Sequence, residues 1–107
     1  MTITKTLDGE KLTVALVGRL DAVTAIQFDK DISKSLDGVN NLIIDLANLE
    51  YIASAGLRIL LKLQKNFMGD MKIKNVRSEV RDVLDMTGFS RLLTIEDAAS
   101  KKLSFNF

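Results

Sequence analysis

The sequence predicts an α/β fold: one domain with a mixed β-sheet, opened by an N-terminal hairpin and packed with about four helices. Three observations lead there. Two β-like runs at residues 3–7 and 12–17 flank Asp8-Gly9, and Asp-Gly between such runs is a strong signal for a two-residue hairpin. After Gly18, segments with three- and four-residue apolar spacing alternate with short apolar runs, and strands joined through helices pair in parallel. At 107 residues the chain can bury one core and is too short for two, so residues 1–107 are read as one domain.

The elements follow in order. Ala25, Phe28, Ile32 and Leu36 step by three and four with Gln27, Asp29, Lys30 and Lys34 between them, which describes an amphipathic helix that Asp37-Gly38 ends. Leu42-Ile43-Ile44 is continuously apolar with two β-branched residues, as a strand covered on both faces requires, and Asp45 closes it. A polar turn leads to a second helix over residues 55–67, where Leu57, Leu60, Leu61 and Met68, joined by Ile59, Leu63 and Phe67, form a wide stripe. Gly69-Asp70 turns the chain into a strand over residues 71–76, whose lysines suggest one face partly wet or near an edge. Ser78 caps a third helix running to Met86, with Val80, Val83 and Leu84 inward and Gly88 stopping it in the left-handed conformation. Residues 92–95 make a last strand. Thr94 with Asp97 reads as a capping box for a fourth helix through Leu103, and the two phenylalanines of residues 104–107 are expected to pack.

Composition removes several function classes. Fifteen basic and fourteen acidic side chains leave a net charge of +1, too little to favour nucleic acid or an anionic membrane globally, and Lys72 and Lys74 read as a solvated strand face. Without cysteine there is no disulfide or thiolate nucleophile, and without histidine the commonest general base and metal ligand are missing. No run of about twenty apolar residues is present, so direct membrane insertion is not expected. The chain reads as a soluble, cytoplasmic protein that is not an enzyme and carries no cofactor, whose partners recognise it locally.

The most informative residue is Ser54, placed where the buried strand hands over to the second helix. Two readings stand on the residues alone. A serine there can cap the helix by accepting a backbone N–H, and the partial positive charge of a helix start also favours an added phosphate. Ala53, Ala55 and Gly56 leave the hydroxyl unshielded, although small residues also serve plain helix–sheet packing. Asp21 reads either as the N-cap of the first helix or as part of a docking edge, and Asp45 either as a strand terminator satisfying turn amides or as part of that same edge.

Three segments together resemble a family, the bacterial anti-sigma-factor antagonists of the STAS domain class. They are Asp45-Leu46 followed by Tyr51-Ile52-Ala53-Ser54-Ala55-Gly56-Leu57; Gly18-Arg19-Leu20-Asp21 with Thr24-Ala25; and Leu84-Asp85-Met86-Thr87-Gly88-Phe89. The resemblance implies a STAS-like fold with Ser54 as phosphoacceptor and Asp21, Thr24, Asp45, Ala53, Ala55 and Gly56 around it. It further implies that the unmodified protein binds an anti-sigma factor that is also its serine kinase, that this frees a sigma factor, that phosphorylation blocks binding, and that a serine phosphatase resets the switch. ATP and magnesium would belong to the kinase. The family commonly places Asp or Ser just before the phosphorylated serine, whereas this chain has Ala53. Competing readings are a STAS scaffold subunit of a transport or signalling complex without a phosphoserine switch, a receiver phosphorylated on Asp45, and a serine hydrolase, the last lacking a histidine base.

Overall fold

A computed structural model describes residues 1–96. The expected capping box at Thr94 and Asp97 with its fourth helix, and the phenylalanine tail, lie outside those residues. Among the described residues, five strands form one mixed sheet: β1 (Thr2–Asp8), β2 (Lys11–Leu20), β3 (Asn41–Ile52), β4 (Asp70–Lys74) and β5 (Ile95–Glu96), in the spatial order of the chain. β1 is antiparallel to β2 and every other pairing is parallel. The connections are α1 (Ala22–Ser33), α2 (Ser54–Asn66) and α3 (Ser78–Met86), with a short 3-10 turn at Phe89–Arg91 before β5.

The hairpin forms one residue later than the Asp-Gly signal implied: Asp8 pairs with Lys11, so Gly9 and Glu10 are the loop, and Gly9 takes φ +61°. Period-2 alternation then directs Leu12, Val14 and Leu16 of β2, Leu42, Ile44 and Leu46 of β3, and Met71 and Ile73 of β4 into one buried cluster. Ala25, Phe28 and Ile32 of α1, Leu57, Leu60 and Leu63 of α2, and Val80 and Leu84 of α3 complete it. Burial of each large apolar side chain there contributes about 1.5–3 kcal/mol relative to exposure.

Several boundaries differ from the sequence reading. α1 ends at Ser33, before Asp37-Gly38. The Ser33 hydroxyl donates to the Asp29 carbonyl at 2.7 Å and the Ser35 hydroxyl to the Asp31 carbonyl at 3.0 Å, local bonds that compete with helix continuation. α2 stops at Asn66 because Phe67 turns to an extended ψ of 127°, which puts Met68 outside the helical stripe, 98% exposed. The final strand starts at Ile95, because the 3-10 turn at Phe89–Arg91 leads into a turn and bend over residues 92–93. Gly69 is required where β3 and β4 begin side by side: a Cβ there would collide with the Asn40 carbonyl, which also accepts the Asp70 N–H at 3.0 Å.

The largest departure is in β3. Asp45 does not close it; the strand continues to Ile52, for twelve residues in all. β4 stops opposite Asp45 at Lys74, but β2 runs on beside β3 through Gly18 at φ +108°. Two register shifts, between Ala15 and Val17 and between Gly18 and Arg19, let the two strands stay paired to Leu20 and Ile52. A two-stranded ribbon therefore projects past the rest of the sheet, and its tip carries the serine turn.

Candidate functional site: the serine turn at the tip of the β2–β3 ribbon

Leu20 and Ile52 are the last register partners of the ribbon, and the Ala53 N–H extends the pairing by donating to the Leu20 carbonyl at 2.9 Å. Two helices leave from adjacent points: α1 directly after Asp21 and α2 directly after Ala53, and they pack side by side. Strand carboxyl ends in α/β sheets gather such helix starts on one edge, where ligands and partners dock.

Asp21 caps α1. Its Oδ1 accepts the Val23 and Thr24 N–H groups, each at 3.0 Å, and the Thr24 hydroxyl oxygen accepts the Asp21 N–H at 2.8 Å, which makes a reciprocal capping box. The single Thr24 hydroxyl proton has two acceptors in reach, the Arg19 carbonyl at 2.8 Å and Asp21 Oδ1 at 3.0 Å. The Thr24 backbone bond, then its hydroxyl, hold the Asp21 carboxyl below the usual carboxylate range, and Arg19 adds to this. Asp21 is thus an ionised, fixed group at the ribbon tip.

Ser54 is exposed and is the first residue inside α2, so it is not the cap. That position belongs to Ala53, extended at φ −99° and ψ 170°, whose side chain has no oxygen to offer the first-turn amides. No hydrogen bond engages the Ser54 hydroxyl among the described residues, whereas the family pattern of Asp or Ser at the preceding position would supply a cap. Ala53 and Ala55 are half-buried. Gly56 is buried because α2 lies tight on the ribbon end: a Cβ there would sit 2.8 Å from the Leu20 side chain and 3.0 Å from that of Ile52.

Asp45 lies apart from this turn. Ile52 lies seven positions further along the extended strand, roughly 20 Å at the usual rise. Its Oδ1 accepts the Ala47 N–H at 2.9 Å and the Asn75 side-chain amide at 3.2 Å, so it braces the register shift in β3 and the exit from β4, where Asn75 takes φ +60°. Of the residues singled out by sequence, Asp21, Thr24, Ala53, Ser54, Ala55 and Gly56 meet at the tip, and Asp45 does not.

The tip also gathers residues outside the apolar periodicity. Arg19 lies over the Tyr51 ring at 4.2 Å from its centroid, a cation–π pair made by register partners. Val23 and Ile26, on the first turns of α1, are 67% and 59% exposed, and Tyr51 is 41% exposed. Their signal in the sequence was a negative one: large apolar residues on a helix that fall off its buried stripe. Elsewhere, a cleft of about 320 Å³ lies between the last turns of α1 and α2, lined by Leu36, Val39, Leu63 and Phe67, at the opposite end of those helices. Among the described residues no cluster of three or more carboxylate, thiol or imidazole side chains could hold a metal, and no helix is long and apolar enough to cross a membrane.

The α/β domain thus presents a solvent-facing serine at its ribbon tip, on the first turn of α2 and beside the start of α1. The chain belongs to the STAS domain family, whose model matches residues 2–101. It is 28% identical over 96 residues to BtrV of Bordetella bronchiseptica, covering 86% of this chain and 82% of that one. It is 31% identical over 93 residues to the anti-sigma F factor antagonist of Paenibacillus polymyxa, covering 80% and 78%. The fold matches that of the anti-sigma factor antagonist SpoIIAA in its unphosphorylated form, with a TM-score of 0.77 at 20% identity over 95% of this chain and 92% of the other. The phosphorylated form of the Bacillus protein gives 0.70 at 19% identity, covering 98% of both chains.

Proposed function

We propose that this protein is a cytoplasmic anti-sigma-factor antagonist switched by phosphorylation of Ser54. In the unmodified form it docks on an anti-sigma factor through the ribbon tip, and so frees a sigma factor. Val23, Ile26 and the Arg19–Tyr51 pair supply the apolar and aromatic contact, a composition typical of interface centres. The anti-sigma factor is also the kinase. It supplies ATP and magnesium; the Ser54 oxygen forms a bond to the γ-phosphorus as the bond to ADP breaks, and the hydroxyl proton passes to a base of the kinase. A serine phosphatase reverses the step by hydrolysis. The observation that carries this reading is the placement of Ser54: exposed, within α2, and free of any capping duty.

The magnitudes suffice. Phosphate adds about −1.5 to −2 charges and three acceptor oxygens where a helix start tolerates them, so the fold survives. Asp21 already holds a fixed negative charge at the same tip, and the phosphate adds further negative charge to the surface a partner meets. A hundredfold loss of affinity needs about 2.7 kcal/mol, and one like-charge approach near 4 Å at an effective dielectric of 20 costs about 4 kcal/mol before screening.

The test compares wild type, Ser54→Ala, Ser54→Asp and enzymatically phosphorylated protein in binding and melting. Ser54→Ala should retain binding and accept no phosphate, while the phosphorylated protein and Ser54→Asp should bind at least tenfold more weakly with a melting temperature no lower than that of wild type. Undiminished binding by genuinely phosphorylated protein defeats the proposal.

A further inference from the structure

We infer that Arg58 is the internal counter-ion for phosphoserine at position 54, so that the modified domain carries its phosphate in a clamp built within α2. The inference rests on the phosphorylation reading above. Ser54 is the first residue of α2 and Arg58 follows four later, a spacing that stacks two side chains on one helix face with Cβ atoms about 5–6 Å apart. Both are exposed. Helical side chains lean toward the N-terminus, so a long arginine covers the turn before its own Cα, which here is the turn bearing Ser54.

Arg58 is also unclaimed. Among the described residues it makes no ion pair, hydrogen bond or ring contact, although Lys62, one turn further along the same face, is tied to Asp29 at 3.1 Å. An uncommitted guanidinium thus stands one turn from an uncommitted hydroxyl. A phosphate on Ser54 offers three strong acceptors, and the guanidinium fork binds such oxygens bidentately. None of the charged groups of the adjoining elements is paired with Arg58: Oδ1 of Asp21 accepts α1 amides, Arg19 lies over Tyr51, and Ala53 brings no carboxylate to the cap. Glu50, near the end of β3, is the remaining acidic residue of the ribbon tip. The absence of an acid at position 53 and the presence of a free cation at position 58 are thus complementary: the counter-charge waits on the side where the phosphate arrives.

The test installs phosphoserine at position 54 during translation, by site-specific incorporation, so that no kinase is needed. The second ionisation of the phosphate is then followed by ³¹P NMR in wild type, Arg58→Lys, Arg58→Gln and Arg58→Ala. The wild-type phosphate should ionise about 0.15–0.4 pH unit lower than in Arg58→Ala, with Arg58→Gln near the alanine value and Arg58→Lys between. Asp21, Arg19 and Glu50 are common to all four proteins and cancel in the comparison. Equal ionisation in all four overturns the clamp, and because Arg58 is exposed, circular dichroism of the unphosphorylated variants should match wild type and exclude unfolding as the cause. The readout needs neither kinase nor partner. A normal shift in a phosphoprotein that still binds its partner would therefore count against the switch while supporting the clamp.

Discussion

Ala53 is the residue at which this chain parts from the family pattern, and the structure gives the departure a physical meaning. It holds the N-cap position of α2 in the extended conformation a cap requires, without the oxygen a cap uses. Ala53→Asp should therefore stabilise the domain by about 0.5–2 kcal/mol, raising its melting temperature by several degrees, and change the rate at which a cognate kinase modifies Ser54. An unchanged melting temperature in a thermal scan would show that the first-turn amides of α2 gain nothing from a carboxylate. The same residue explains what was legible at this scale. Asp21 was legible as a cap of α1 by type and position, whereas the return bond from Thr24 that closes the capping box comes from the structure. Ser54 imitates a cap by type alone, because the helix starts at Ser54, one residue earlier than the sequence places it, and no side-chain pattern marks an alanine as the cap.

At the scale of elements, Gly56 decides how α2 meets the ribbon. Alanine is the better helix former by about 1 kcal/mol, yet here its Cβ would come within 2.8 Å of the side chain of Leu20, which is fully buried and cannot swing aside freely. Gly56→Ala should destabilise by about 1–2 kcal/mol in denaturant unfolding despite the propensity gain. In a double-mutant cycle, Leu20→Ala should absorb part of that loss, since it vacates the space the new methyl needs; strict additivity would refute the steric account. The helices were readable because each has a clear apolar stripe; α3 ends at Met86 as expected, but Ser78 is its first residue rather than its cap, a position that falls to Arg77. The far half of β3 was not. Asn48, Glu50 and Tyr51 are exposed on a ribbon that leaves the sheet, so residues 47–52 show neither the continuous apolar run of a buried strand nor clean alternation. The same ribbon carries Asp45 away from Ser54, whereas strand-end reasoning, which closed β3 at Asp45, placed the two on one edge.

For the molecule as a whole, composition and structure combine into a statement about pH. The chain has no histidine and no cysteine, so no side chain with an ordinary ionisation titrates between about pH 5.5 and 8.5, and stability should be flat across that window. Three carboxyls held below their usual range contribute to its acid limb: Asp21 by the Thr24 amide and hydroxyl, Glu79 by its own amide and the Ser78 hydroxyl, and Asp85 by the Ser90 hydroxyl and Arg81. A carboxyl that is easier to ionise in the folded state binds fewer protons there than in the unfolded chain. Its stabilisation is complete above the unfolded value near pH 4 and is lost as pH falls through the lower folded value. Thermal melts should accordingly agree from pH 6 to 8 and decline below about pH 4, with a shallower decline in Asp21→Asn, whose position 21 no longer titrates. Phosphorylation adds a group that ionises near pH 6, inside the otherwise silent window. If the first turn of α2 and Arg58 favour the dianion, the phosphate ionises at lower pH in the folded protein than in the unfolded chain, so the phosphorylated protein alone should gain stability between pH 5 and 7. Parallel melting curves for the two forms across that interval would mean that the folded tip holds the dianion no better than water does.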